Sequence, residues 1–195
     1  MAYGIAQLFC NDTWEYELVI EPDAVVIEKI KLERLRFCKL HDLTFTCAEV
    51  PQIILAHFQI KTAMEGTMVR WLQNICNLHP GFLICLDNYF SGPPRCIYLQ
   101  IQDHKPINNL TNALKILDGF IKANNCPPLW IQNKPHLPLI SGLPDEVFTI
   151  ALKEYGSRNF HASFLANRLF LYKRTAIDQK ELINTFVLAQ QKHCV

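Results

Sequence analysis

Pro51-Gln52-Ile53-Ile54-Leu55 and Pro135-His136-Leu137-Pro138-Leu139 are two stretches of this sequence that echo each other. Each stretch has the pattern of a strand, and each is followed by a helical pattern and then by another strand. The repetition predicts two similar halves that face one cleft. Paired acid–base chemistry is expected at the position after the first proline of each copy, and only the second copy has a histidine there.

The composition favours a globular protein with a substantial core. The chain has 195 residues, of which 50% are hydrophobic, so it fits one large domain or two closely packed lobes. Its formal net charge of +1 gives no broad attraction for nucleic acid, which leaves a local basic cleft as the alternative. No apolar run approaches the roughly 18–20 residues of a membrane span, so no membrane partner is expected.

Cysteine usage and the N-terminal sequence both favour a reduced, cytoplasmic protein. The eight cysteines are at least nine positions apart, so the chain has no C-x-x-C zinc or redox pair. Asp12 and Glu15 stand where a secretory signal would carry basic residues and then a long apolar core. No glycine-rich phosphate loop is present. We therefore expect no bound metal and no cofactor.

Alternating strand and helix patterns predict an α+β fold with antiparallel sheets. Asp23 is expected to cap the first helix. The predicted strands are 16–20, 43–47, 52–60, 82–86, 96–101, 160–164, 168–172 and 185–189, and the predicted helices are 24–40, 63–77, 107–123 and 142–155. The break at 124–128 divides a single bilobal domain, 1–195, into lobes of about 16–123 and 124–189 that exchange terminal segments.

Four local stretches resemble the 2H phosphoesterase superfamily, which includes 2′-5′ RNA ligase-like proteins and cyclic phosphodiesterases. They are Leu18-Val19-Ile20-Glu21-Pro22-Asp23, the segment from Pro51 to Phe58, the segment from Lys134 to Leu139, and the pair Phe160–Phe164 and Leu169–Lys173. The resemblance covers roughly residues 16–174. It implies a bilobal, pseudo-two-fold fold in which two antiparallel sheets line a central groove and the helices lie outside.

The same resemblance identifies the groove residues. Members of the family carry two His-x-Thr/Ser motifs, whose histidines exchange protons with the substrate while the hydroxyls bind phosphate oxygens. Here the four corresponding positions are Gln52, Ile54, His136 and Pro138. Glutamine cannot exchange a proton near neutral pH, and isoleucine and proline have no side-chain donor. His136 is thus the one catalytic candidate that remains, and the enzyme class of the family is left open for this chain.

Other histidines give weaker candidates. His41 precedes Thr44 by one residue too many to share a strand face with it, and we expect an exposed loop histidine. Strand alternation predicts that His57 points away from the cleft and packs beneath the helices. His161 and Ser163 are two residues apart and should share a face, so a shifted alignment could make them the second motif. Lys134, Arg95 and Lys105 could add positive charge to the groove.

Three functions fit the sequence. The first is a 2H-fold protein with impaired catalysis that binds a nucleotide, an RNA end or another phosphate ligand in the groove. The second is an active cyclic phosphodiesterase or RNA ligase-like enzyme that uses His136 as its acid or base, helped by a group that the sequence does not identify. The third is an inert structural or interaction protein whose groove is filled with side chains.

Overall fold

A computed structural model of the chain describes residues 12–41, 43, 50–92, 95–176 and 179–190. Of the predicted strand 43–47, only Leu43 lies within these ranges. The elements are β1 (Thr13–Ile20), α1 (Ala24–Leu40), β2 (Ile53–Lys61), α2 (Glu65–Leu78), β3 (Phe82–Gly92), β4 (Cys96–Ile101), α3 (Lys105–Leu114), α4 (Ile116–Ala123), β5 (Trp130–Ile131), β6 (Leu137–Ile140), α5 (Asp145–Gly156), β7 (His161–Ala166), β8 (Arg168–Ala176) and β9 (Gln179–Val187).

The strands form two antiparallel sheets, as the sequence predicts. The first sheet has the order β5-β2-β1-β8-β9 and the second has the order β6-β4-β3-β7. Each sheet packs one face on a shared apolar core with the helices, and the opposite, open faces line the groove. Both sheets combine strands from before and after residue 124, while the lobe boundaries themselves stay a prediction. In the described part of the chain, every helix is too short or too polar to cross a membrane.

Helix α1 follows β1 of the first sheet along the chain and contacts β6, the edge strand of the second sheet. As predicted, the Asp23 carboxylate accepts a hydrogen bond from the Val26 backbone N–H at 2.9 Å and caps the helix. One turn later the buried face continues with Ile30. On the other side, the Arg34 guanidinium donates to the Leu139 carbonyl at 2.6 Å and to the Pro138 carbonyl at 3.0 Å. These two bonds cover the edge of β6 and fix the strand that carries the second motif.

Glu17 is a buried acid on the open face of the first sheet. Its side chain lies between the Arg174 guanidinium at 2.9 Å and the Lys180 ammonium at 2.6 Å. Burial raises the pKa of Glu17, but the hydrogen bonds and charges of the two cations outweigh burial and hold that pKa below its usual range. The folded state therefore stabilises the charged form of this carboxylate.

Several predicted elements differ from the structure in extent; β3, for example, ends at Gly92 and not at residue 86. The predicted helix 107–123 is two helices, because the Lys115 N–H bonds to the Asn112 carbonyl and the Asp118 N–H bonds to the Lys115 carbonyl, three residues back in each case. This tighter turn separates α3 from α4. The predicted terminal strand 185–189 starts earlier, as β9 at Gln179, and pairs along its whole length with β8.

Candidate functional site

The first motif lies at the start of β2. Ile53 is fully buried, whereas Ile54 is half-buried and pairs with Val19 on the open face. Gln52, just before the strand, is also half-buried. Its amide Nε2 donates a hydrogen bond to a carboxylate oxygen of Glu21 at 2.8 Å. The position where the family resemblance implies a histidine therefore holds an amide that is tied to an acid.

Glu21 accepts a second hydrogen bond at the same oxygen. The Tyr172 hydroxyl donates to it at 2.7 Å. Burial, followed by the bond and the charge of Glu21, raises the pKa of Tyr172 well above its usual value, so the phenol keeps its proton and remains a donor. The carboxylate thus places negative charge beside Gln52. This charge disfavours an anionic group in direct contact with Gln52.

The second motif lies on β6, at the edge of the second sheet. Leu137 and Leu139 are 0% and 1% exposed, so their neighbours His136 and Pro138 lie on the open face. The His136 Nδ1 is 3.0 Å from the Lys134 carbonyl oxygen. Because a carbonyl only accepts, this bond places a hydrogen on Nδ1 and leaves Nε2 for a ligand.

A cavity of about 330 Å³ lies beside His136. This volume falls within the roughly 300–1,000 Å³ range of pockets that hold small molecules. Its lining includes Phe90, Tyr98, Gln100, His104, Lys134 and His136. In the described part of the chain, none of the lining residues is acidic. The second half of the groove thus combines cationic and neutral donors without a nearby carboxylate on the cavity wall.

Two aromatic side chains form one wall of the cavity. Phe90 and Tyr98 are cross-strand partners on β3 and β4, and their ring centroids are 5.5 Å apart. The His136 imidazole lies against Tyr98 with a centroid distance of 4.4 Å. Burial, and to a smaller extent Cys96, raises the pKa of Tyr98, so its hydroxyl stays neutral. The wall offers a flat surface on which an aromatic ligand can stack.

Of the four predicted groove residues, only His136 lines this cavity. Gln52 and Ile54 lie on the first sheet and Pro138 lies on the second. The chain passes from β5 in the first sheet to β6 in the second through residues 132–136. At the start of this segment, the Gln132 N–H donates a hydrogen bond to the Leu55 carbonyl of β2. That the four residues share one ligand stays a prediction.

Sequence reasoning missed several lining residues. Tyr98 and Gln100 could have been found, because they alternate along β4 with Ile97, Leu99 and Ile101, which are at most 1% exposed. That period of two places both side chains on the open face. His104 lies in the turn after β4, and no periodic pattern there points to the cavity. Of the predicted basic residues, Lys134 lines the cavity, whereas Lys105 does not line it and Arg95 pairs with Asp145 at 2.8 Å.

The prediction for His41 is wrong. The residue ends α1, where its backbone N–H bonds to the Phe37 carbonyl. Its ring nitrogen Nε2 is 3.0 Å from a Glu154 carboxylate oxygen, and the ring packs on Phe37 with a centroid distance of 4.5 Å. The contact with Glu154 of α5, 113 positions away in sequence, therefore holds the His41 side chain in place, although the sequence around His41 resembles a loop. Thr44 lies outside the described residues.

The prediction for His57 is also wrong, because β2 contains a bulge. Leu18 pairs with Ala56 and the next residue of β1 pairs with Ile54, so Leu55 has no partner of its own on β1. The extra residue shifts the alternation by one, which places Ala56 in the core at 1% exposure. His57 pairs with Glu17, and its side chain is 34% exposed. It thus lies on the open face and not beneath the helices.

His161 and Ser163 are both exposed on β7, at the edge of the second sheet opposite β6. The His161 Nδ1 is 2.7 Å from an oxygen of Asp87, its cross-strand partner. Neither His161 nor Ser163 lines the cavity beside His136. In the ranges that the structure describes, no cluster of three histidine, cysteine or acidic residues is arranged to hold a metal ion.

Solved structures of known proteins share this fold. E. coli LigT in its apo form superposes with a TM-score of 0.66 at 16% sequence identity, over 92% of this chain and 99% of LigT. LigT complexed with 3′-AMP gives 0.62 at 16% identity, over 92% and 100%. The protein TT0787 of Thermus thermophilus gives 0.66 at 13% identity, over 91% and 99%. No protein-family model and no curated protein sequence matches this chain.

Proposed function

With the 2H phosphoesterase fold of LigT as the premise, we propose that this protein binds a nucleotide or an RNA end in the cavity beside His136 and does not hydrolyse it by the family mechanism. The observation that carries the proposal is the cavity itself, in which His136, Lys134 and an aromatic wall come together. LigT, at 16% identity, has been crystallised with 3′-AMP, and other LigT structures contain NADP⁺, phosphate or ATP.

The proposed phosphate contacts are His136 and Lys134. The bond from Nδ1 to the Lys134 carbonyl orients the imidazole, and with both ring nitrogens protonated its Nε2–H donates to a phosphate oxygen. The Lys134 ammonium supplies a positive charge at the same cavity. Hydrogen bonds to a charged group are worth about 1.5–3 kcal/mol each, so a few such contacts suffice for measurable binding.

The base of the ligand is proposed to stack on Tyr98 or Phe90. Stacking of a base on an aromatic side chain contributes about 1–3 kcal/mol and tolerates any base. The polar groups and the aromatic wall belong to one cavity, so a single mononucleotide can reach both. This arrangement favours nucleotides over simple phosphate anions.

The proposed loss of catalysis rests on the first motif. Acid–base catalysis by this fold needs a second proton-exchanging group, and position 52 holds an amide that donates to Glu21. Loss of a general acid or base costs about 10²–10⁴-fold in rate. Ile54 and Pro138 supply no hydroxyl for the developing charge, and each lost donor of that kind costs about 10²–10³-fold.

A second candidate function is retained because of one observation. The Nε2 of His136 is left for a ligand, so this histidine can still accept or donate one proton at the cavity. An active cyclic phosphodiesterase or RNA ligase-like enzyme remains the alternative. The inert reading is disfavoured, since Ile54 and Pro138 do not fill the cavity. A cytoplasmic location stays a prediction from the sequence.

Titration calorimetry with 3′-AMP tests the proposal. We expect saturable binding by the wild type and at least a tenfold loss of affinity for His136→Ala, since one charge-assisted hydrogen bond is removed. His161→Ala is the matched control, because this histidine lies on the same sheet outside the cavity and pairs with Asp87. Its affinity should equal that of the wild type.

A turnover assay with 2′,3′-cyclic AMP separates the two functions. The proposal predicts binding without hydrolysis. Hydrolysis by the wild type that disappears in His136→Ala would establish the active enzyme instead. If 3′-AMP does not bind, or if His136→Ala and His161→Ala bind it equally well, the cavity beside His136 is not the site.

A further inference from the structure

His104 is a second imidazole in the cavity, and its position is fixed by its neighbours. It stands between β4 and α3, and its carbonyl accepts the Asn108 N–H at 2.8 Å in the first turn of the helix. The flanking side chains of Ile101 and Ile107 are 1% and 0% exposed. The backbone of His104 is therefore anchored on both sides, which fixes the point from which its side chain reaches the cavity wall.

The two ring nitrogens of His104 have different surroundings. Nδ1 is buried and has no hydrogen-bond partner among the described residues. A hydrogen on this atom would be a buried donor without an acceptor, which is costly. The tautomer with its hydrogen on Nε2 leaves Nδ1 as an unpaired buried acceptor instead, which folded proteins tolerate somewhat better than an unpaired N–H. Nε2 is then the donor that the ring offers to the cavity.

We infer that His104 is a ligand-binding residue of this cavity, whose Nε2–H donates to an oxygen of the phosphate that His136 contacts. This inference rests on the proposed function, because it assigns a second contact to the same ligand. His104 follows a strand end and belongs to neither of the two echoed motifs.

Two amide substitutions test which ring nitrogen matters. The amide nitrogen of glutamine lies close to the place of the histidine Nε2, whereas that of asparagine lies close to the place of Nδ1. By calorimetry with 3′-AMP, we expect His104→Gln to bind within about threefold of the wild type and His104→Asn to bind at least about tenfold more weakly. Thermal unfolding of both variants shows whether the start of α3 is intact.

The outcomes distinguish this inference from the proposed function. If the wild type binds 3′-AMP and His136→Ala does not, but His104→Asn binds normally, the role of His104 is refuted while the site stands. Equal losses in His104→Gln and His104→Asn would also refute a donor role of Nε2. If the wild type itself fails to bind, the proposed function fails, and the role of His104 fails with it.

Discussion

Replacing Tyr98 with alanine should weaken binding of a nucleotide far more than binding of phosphate alone. The Tyr98 ring lies 5.5 Å from Phe90 and 4.4 Å from His136, so it is the centre of the aromatic wall. If the base stacks on this ring, its loss costs about 1–3 kcal/mol. The dissociation constant for 3′-AMP should then rise by about 5- to 160-fold.

Calorimetry with two ligands isolates the contribution of the base. Inorganic phosphate carries the anion without the base, so its affinity for Tyr98→Ala should stay within about threefold of the wild type. Tyr98→Phe keeps the ring and removes only the hydroxyl, and we expect it to bind 3′-AMP as the wild type does. Equal losses for 3′-AMP and phosphate in Tyr98→Ala would refute stacking and indicate that the substitution merely displaces His136.

Two further predictions concern stability and catalysis. Glu17→Gln should lower the free energy of unfolding at pH 7 by about 1–2 kcal/mol, a modest loss because both cations are partly exposed. The folded-state pKa of Glu17 is depressed, so the difference in unfolding free energy between the two proteins is present above the unfolded-state pKa of about 4. It disappears as pH falls through the folded-state pKa. Urea unfolding at several pH values measures this dependence. A loss that does not change with pH would contradict the ion-pair account. A variant that combines Gln52→His, Ile54→Thr and Pro138→Thr restores both motifs and should introduce measurable hydrolysis of 2′,3′-cyclic AMP. If this variant folds but does not hydrolyse the substrate, the assigned motif positions are wrong.

The local signals of the sequence predict most of the elements. Helix α1 runs from Ala24 to Leu40 as expected, because the Asp23 cap and the apolar period act within a few residues of each other. On β6 the alternation of the sequence is likewise kept, with the leucines in the core and His136 on the open face, while the role of His136 stays a prediction. In both cases the deciding interactions are close in sequence, so a pattern can reveal them.

The errors arise where distant residues decide the structure. The bulge at Leu55 on β2 depends on the register with β1, and this single irregularity turned His57 to the opposite face from the one predicted. His41 bonds to Glu154 across 113 positions of sequence. The bonds from Gln52 and Tyr172 to Glu21 likewise join three separate parts of the first sheet. No periodicity reports contacts of this kind.

The candidate site was only partly visible in the sequence for the same reason. The resemblance to the 2H family identified His136, but the cavity also requires side chains from β3, β4 and the turn before α3. Neither Phe90 nor His104 belongs to a motif. Their meeting with His136 depends on strand order in the second sheet, where β6 pairs with β4 and β4 with β3. The sequence alone does not specify that order.

A crystal structure of the protein soaked with 3′-AMP tests the central claim most directly. The measurement is the position of the phosphate group. We predict that one of its oxygens lies within hydrogen-bond distance of His136 Nε2, with the base against Tyr98. A phosphate bound instead beside Gln52 and Glu21, or a cavity that stays empty at a saturating ligand concentration, would contradict the account.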